Sequence, residues 1–491
     1  MSKIYFSIIK PFLVFIYRNS IQKTYVNILS YGISKKSGEL TKLILENKSE
    51  KKILFNSFEY QTFDCLSLYA GVARCMRSRG CYTENLKFNH INIKKFVNSN
   101  LKNKKNNKYR YSLRKLKYQC KKHNLSDLYH PVIDTIHKNH YNIWGRNFNE
   151  TFNINKKFFL EVKRLKKNFS KLASKFDILI ITDTGYLYNH LIKQEFLKKN
   201  KKVFCLGPAN RFFEYKNIYE SEVSCLDKKS QVISYKKNQI KIEKFLKKRF
   251  GGKIKSGFYN ISFRDKRKIK INKKSKILYL HSFTDANNNA WYPNQLFASH
   301  FDWTDLTLRE LAKKKFKNWL IKIHPVHLLA KEKSISVYNQ AFGTHEIVKY
   351  FIKKYKIPSQ VFENCPNNID ILKNNLPVYT NSGTVVLESL NFGYKTIFTG
   401  ARFDKLYGQK VIVMKNWKKI LNLKKKQKIN IRQNTLKQAK FLLWNNYSKQ
   451  TFISNICPDN HIAAWTSMYE KFILSIKYFI KIYDFSKNRS P

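Results

Sequence analysis

The stretch from 177 to 206, DILIITDTGYLYNHLIKQEFLKKNKKVFCL, constrains the fold more than any other part of the chain. An apolar run from Asp177 to Thr182 leads through a polar turn into an amphipathic helix, and a second apolar run follows from Val203 to Leu206. A strand with one face in water alternates apolar and polar residues, and these runs do not alternate. Strands of this kind are covered on both faces, which calls for a parallel sheet with helices packed on each side. The stretch predicts a β-α-β unit in an α/β protein.

The same rhythm recurs on either side. KKILFNSFEYQTFDCLSLYAGVARCMRSRGCYTENLKFN reads as a strand, a polar loop, a helix carrying Leu66, Tyr69, Val72 and Cys75, a stop at Gly80 and a further strand. KILYLHSF is a strand running into a loop, DWTDLTLRELAKKK a helix with Asp302 or Thr304 near its start, and NWLIKIHP a strand ended by proline. A helix around 345–355, a short segment PSQVFEN and the strand-turn-helix-strand YTNSGTVVLESLNFGYKTIFTG follow. Two α/β halves emerge, each a Rossmann-like domain, facing a cleft. The expected division is a helical extension over 1–50, a first domain over 51–245, a basic crossover over 246–275, a second domain over 276–430 and helices over 431–491. The Lys-rich stretch from about 226 to 274 has few apolar runs and is the natural place for the chain to cross between domains.

Charge narrows the partners less than it first suggests. Lysine and arginine number 95 against 32 aspartates and glutamates. Clustered cations favour nucleic acid through counterion release, but these lysines are spread along the chain among many Asn, Ile, Tyr and Phe, as A/T-biased coding would produce. No specific nucleic-acid partner is expected; the surface favours anions such as nucleotide phosphates, lipid headgroups or acidic saccharides. The 8 cysteines form no CxxC pair and no cleavable leader stands out, which fits a reducing cytoplasm. His137 with His140, and His324 with His327, lack a third ligand nearby, so neither a metal nor any other cofactor is expected. No run has the length of a membrane span; IYFSIIKPFLVFIYRNS is broken by Lys10 and Pro11 and reads either as an interfacial helix at the inner membrane surface or as a helix docked on the protein itself. The basic stretch 101–125 reads as a solvated helix face or loop.

Ligands of open parallel sheets collect beyond the carboxyl ends of the strands. Three polar clusters of the second half fall there: His281 and Asp285 in HSFTDANNNAWY, Lys322, His324 and Pro325 in KIHP, and Ser382, Gly383 and Thr384 in NSGT. Imidazole and ammonium groups donate to phosphate oxygens, and N–H groups at Gly383 and Thr384 offer further donors. Ser382 or Thr384 also fits as an ordinary helix N-cap, and both readings stand. Glu388 lies four residues beyond Thr384, faces the same way on a helix, and as a carboxylate accepts sugar or ribose hydroxyls. In the first half Glu59 and Asp64 follow the first strand and Asp183 another; Asp64 equally suits a helix cap. Glu59 and Asp64, with His281, are the candidate catalytic groups.

HSFTDANN, LFASHFDWTDLTLRELA, WLIKIHP and NSGTVVLESLNFGYKTIFTG, taken in order over roughly 276–412, resemble the C-terminal half of bacterial capsule and surface-polysaccharide biosynthesis proteins, whose folds are similar to two-domain GT-B glycosyltransferases. RSRG at 77–80 is similar to the early N-terminal domain of such enzymes. The HP dipeptide with a later Ser-Gly-Thr turn resembles transferases that use cytidine nucleotide donors. This resemblance implies donor-phosphate contacts for His324, Ser382 and Thr384 and nucleotide contacts for Glu388. Retaining enzymes of the glycogen type carry two glutamates spaced by seven residues, and this chain departs from them with Thr396 eight positions after Glu388.

The expectation is a membrane-peripheral cytoplasmic glycosyltransferase moving a sugar from a CMP- or UDP-linked donor to a capsular polysaccharide or its lipid-linked precursor. A nucleotide-sugar 2-epimerase and a non-catalytic capsule-assembly component share the architecture and remain open alternatives.

Overall fold

The computed structural model describes residues 30–31, 33–35, 37–46, 50–56, 63–86, 97–100, 108–139, 151–181, 186–207, 211–217, 228–251, 269–280, 297, 300–323, 348–381, 384–392, 397–398 and 433–447. The chain is α/β, as its periodicity predicts. The 177–206 stretch forms strand β5 (Ile178–Ile181), the Leu187–Lys198 helix and strand β6 (Lys202–Gly207), the two strands parallel. Upstream, β1 (Lys52–Asn56), the Phe63–Arg77 helix and β2 (Tyr82–Asn85) make another parallel unit. These strands join in a five-stranded sheet of order β2-β1-β5-β6-β7. β7 (Arg211–Tyr215) runs antiparallel to β6, so the sheet is mixed, and β3 (Val97–Asn100) with β4 (Thr151–Ile154) forms a separate antiparallel pair. The sequence reading anticipated none of these three: β3 and β4 are four residues each with little apolar signal, while β7, with three aromatics, is as long as β1.

The second sheet has the order β11-β10-β8-β9, all parallel, from β8 (Lys276–Tyr279), β9 (Trp319–Lys322), β10 (Val378–Thr380) and β11 (Ile397–Phe398).

The unalternating strands are explained by the cores they feed. In β5, Leu179 and Ile181 enter one apolar cluster while Ile178 and Ile180 enter another. β1 divides Leu54 from Ile53 and Phe55 in the same way, and β6 divides Val203 and Cys205 from Phe204 and Leu206. Successive side chains point to opposite faces, so both faces of this sheet are buried. In the second sheet Leu278 and Tyr379 join the same large cluster as Leu54, while Ile277 and Val378 face a smaller one. One face of each sheet thus borders a common core. Helices Tyr129–Asn139 and His300–Ala312 both contribute to it, and Tyr129 lies near enough to Asp302 for that carboxylate to add to burial in raising its phenol pKa.

Helices Lys228–Lys237 and Gln239–Phe250 occupy the stretch expected as the chain crossover. Tyr235, Ile242 and Leu246 pack with Val386, Leu387 and Leu390 of the Val385–Asn391 helix and with Leu442, Leu443 and Trp444 of the Gln433–Tyr447 helix. The lysines that hid this pair in the sequence lie on its exposed side, at Lys241, Lys244, Lys247 and Lys248. Short helices at Gln360–Glu363 and Asn368–Lys373 precede β10. Among the described residues no helix is long and apolar enough to cross a membrane. The N-terminal segment 1–20 lies outside the described residues.

Candidate functional site

Three strands of the second sheet end at one level. Thr380 pairs across the sheet with Tyr279, and Tyr279 with Lys322. Each is the last residue of its strand, so the three polar clusters singled out from the sequence leave the sheet from adjacent strands at the same edge. The strand order also reverses here: β8 is followed by β9 on one side, and β10 lies on the other. Such a reversal opens a crevice outside the strand ends, because the connections on its two sides turn away from each other.

The described side chains at this edge form a chain of contacts. Arg249, from the 239–250 helix, reaches Glu388 at 2.5 Å, and both side chains are almost wholly buried, at 1% and 2% exposure. The Glu388 carboxylate also accepts a long contact from Asn368 Nδ2 at 3.5 Å, and the Tyr279 hydroxyl donates to Asn368 Oδ1. Burial, followed by the nearby charge of Glu388, drives the Tyr279 phenol pKa well up, so its hydroxyl stays protonated and remains a donor. Lys322 Nζ donates to the carbonyl of Pro366 at 3.2 Å, so residues 366–368 are tied to the ends of β8 and β9. Beyond β10, the Asn381 amide meets His300 Nδ1 at 3.0 Å, both side chains being buried; with the amide nitrogen as donor, the His300 proton sits on Nε2.

Glu388, expected to face the same way as Thr384 and accept sugar or ribose hydroxyls, lies one helical turn from Thr384 with its carboxylate buried against Arg249. A carboxylate leaves water only when its charge is met, and Arg249 meets it. The pair ties the 385–391 helix to the 239–250 helix. Thr384 occupies the N-cap position but its side chain makes no capping hydrogen bond. Lys322 stands where expected, at a strand end. Asp64 falls within the first turn of the 63–77 helix. Glu59, Asp183, His281, Asp285, His324, Pro325, Ser382 and Gly383, with His140 and His327, lie outside the described residues, as do the side chains of Asp64 and His137.

The first sheet has its own reversal, between β1 and β5. Asn56, ending β1, donates to Asn189 Oδ1 at 2.6 Å, and Leu187 N donates to Thr135 Oγ1 at 2.8 Å. His190 is buried with no hydrogen-bond partner on either ring nitrogen, and burial, then Lys193 and His130, hold its pKa well below the usual histidine value. Lys193 is fully buried with its ammonium 4.5 Å from the centre of the Tyr215 ring. Arg249, Asn368, Asn189, His190 and Lys193 went unnoticed in the sequence. Arg249 sits in a lysine-rich helix 139 residues from its partner, a distance over which no local pattern reports.

Among the described residues no disulfide joins the buried cysteines Cys75, Cys81, Cys120, Cys205 and Cys365. Burial, with a smaller effect of Asp127, pushes Cys120 up to about 12, which keeps it an unreactive thiol. Among the described residues no three metal-ligating side chains gather. Comparison with protein-family models gives no match, and neither the curated proteins nor the solved structures yield a similar chain.

Proposed function

We propose that the protein is a glycosyltransferase of GT-B-like arrangement, moving a sugar from a CMP- or UDP-linked donor to a surface polysaccharide or its lipid-linked precursor. The observation that supports this reading is the register Thr380, Tyr279, Lys322 at a strand-order reversal. That edge is where an α/β sheet binds a nucleotide, and the segments leaving it carry His281 and Asp285, His324 and Pro325, and Ser382 to Thr384. In this proposal the acceptor hydroxyl attacks the anomeric carbon, its proton passes to a base of the first half such as Glu59 or Asp64, and the bond to the donor phosphate breaks. Lys322, His324 and the hydroxyls at Ser382 and Thr384 take up the charge on the departing phosphate. Glu388 and Arg249 hold the helix behind that turn.

The test is thermal unfolding of the full chain with CMP, CDP, UDP and GDP. A ligand at about 100 times its Kd stabilises the native state by about 2.7 kcal/mol. The expected result is stabilisation by a pyrimidine nucleotide that His324→Ala and Ser382→Ala each abolish. Stabilisation by none of the four, or stabilisation that both variants retain, overturns the assignment of the site.

A further inference from the structure

The Lys156–Lys175 helix has a face that the fold does not use. Phe158, Phe159, Val162, Leu165, Phe169 and Ala173 form its buried side. Along the opposite side, at helical spacing, run Lys156, Leu160, Lys163, Lys167, Lys171 and Lys175, all exposed. Lysines four residues apart repel, so the helix would be more stable with acids interleaved. It has one acid, Glu161, which is engaged with Arg164 at 2.7 Å. The 300–312 helix, from the same lysine-rich chain, answers its neighbouring cations instead: Asp305 pairs with Lys354 and Glu310 with Lys313. A shorter line of exposed lysines, Lys241, Lys244, Lys247 and Lys248, spans about two turns of the 239–250 helix, whereas the line on the 156–175 helix runs its whole length.

A second helix, linked to it through His123, extends the pattern. Lys108–Lys122 contains no acid and ends in Lys121 and Lys122. His123 just beyond it stacks on Phe159 at 4.7 Å. Burial, then Lys163, Lys156 and Lys122, hold the His123 pKa down, so cations of both helices act on one spot. Within the line of lysines Leu160 is 52% exposed, and Tyr118 of the neighbouring helix is 66% exposed. A phosphate backbone gives Leu160 nothing to bind, whereas an interfacial helix combines cations for headgroups with an aliphatic group for the acyl boundary, and a tyrosine such as Tyr118 suits the headgroup level.

We propose that this face of the 156–175 helix, continued by the end of the 108–122 helix, docks the protein on an anionic lipid surface. The face is about 30 Å long, at 1.5 Å per residue, which suits an extended partner. This inference is independent of the transferase reading and stands or falls without it.

The experiment is co-sedimentation of the full chain with phosphatidylcholine vesicles, with and without phosphatidylglycerol, at physiological salt. Each lysine near an anionic surface contributes about five-fold to partitioning. Lys163→Glu/Lys167→Glu/Lys171→Glu is expected to weaken binding to the anionic vesicles by about 100-fold or more. The same charge change placed elsewhere, Lys241→Glu/Lys244→Glu/Lys247→Glu, is expected to weaken it several-fold at most. Leu160→Ser should weaken it a few-fold, and the neutral Lys163→Gln/Lys167→Gln/Lys171→Gln set guards against a misfolded charge-reversal variant. Equal losses from the two triple reversals would reduce the effect to net charge and overturn the proposal. So would wild-type binding to RNA, lost with Lys163, Lys167 and Lys171, in the absence of binding to the anionic vesicles.

Discussion

The two sheets reverse strand order in the same way and finish that edge differently. At the first, the polar groups come from the sheet's own β-α-β units: Asn56, ending β1, meets Asn189 of the 187–198 helix, and His190 and Lys193 follow on the same helix. They are enclosed by the core, with Tyr215 beneath Lys193. At the second, the edge is braced by Arg249, which approaches Glu388 from a helix that precedes every strand of that sheet. The same topology therefore yields one edge closed around its own polar residues and another braced by an arginine from outside the sheet. A strand-order reversal provides a place for a site; the groups packed beneath it decide whether it becomes one.

The largest effect is expected at the clamp. Arg249→Ala leaves a carboxylate buried without its cation and should cost about 3–5 kcal/mol in urea unfolding. Arg249→Met/Glu388→Leu removes both charges and should recover most of that loss. If the single substitution costs no more than an exposed pair, the second edge is not clamped in this way.

A smaller effect probes the outer face of the first sheet. A Cβ on Gly71 would lie 2.5 Å from Ile33 Cγ2 and 2.9 Å from the Ser30 carbonyl oxygen. Gly71→Ala should cost about 1–3 kcal/mol by overpacking, read as a lowered Tm. A neutral result would mean that Ser30 and Ile33 do not seal this face.

The closed edge should also respond to acid. His190 has its folded-state pKa depressed by burial, so the unfolded chain takes the proton first. Its contribution to stability is complete above the unfolded value of about 6.5 and is lost as pH falls below it, by about 1.4 kcal/mol for each pH unit. His190→Leu should flatten the fall in Tm below pH 6.5. An unchanged slope would assign it to other groups and remove His190 from the comparison. The smallest effect belongs to a half-exposed pair away from both edges: Lys354→Ala, which loses a 2.6 Å contact to Asp305, should cost about 1 kcal/mol or less.

The parallel strands were legible because burial on both faces leaves an unalternating apolar run, and Ile178–Ile181 displays it fully. The 300–312 helix was legible from its spacing, beginning two residues before the expected Asp302. The β3–β4 pair was not, since each strand is four residues with little apolar run; β7 carried a hairpin signal in its aromatics after Gly207 and Pro208. The strand-end position of Lys322 followed from the proline that ends its segment. The roles of Glu388 and Arg249 did not follow from any local pattern.

By itself the sequence determined the repeated β-α-β units, the polar segments that end the strands and the lysine-rich helix faces, because periodicity and turn chemistry act over a few residues. Only the tertiary structure decided that the two sheets share one core, that the 228–237 and 239–250 helices pack against the 385–391 and 433–447 helices, and that Glu388 pairs with Arg249. The reason is physical: whether a carboxylate binds a ligand or anchors a helix depends on its desolvation and on the nearest cation, and here that cation lies 139 residues away.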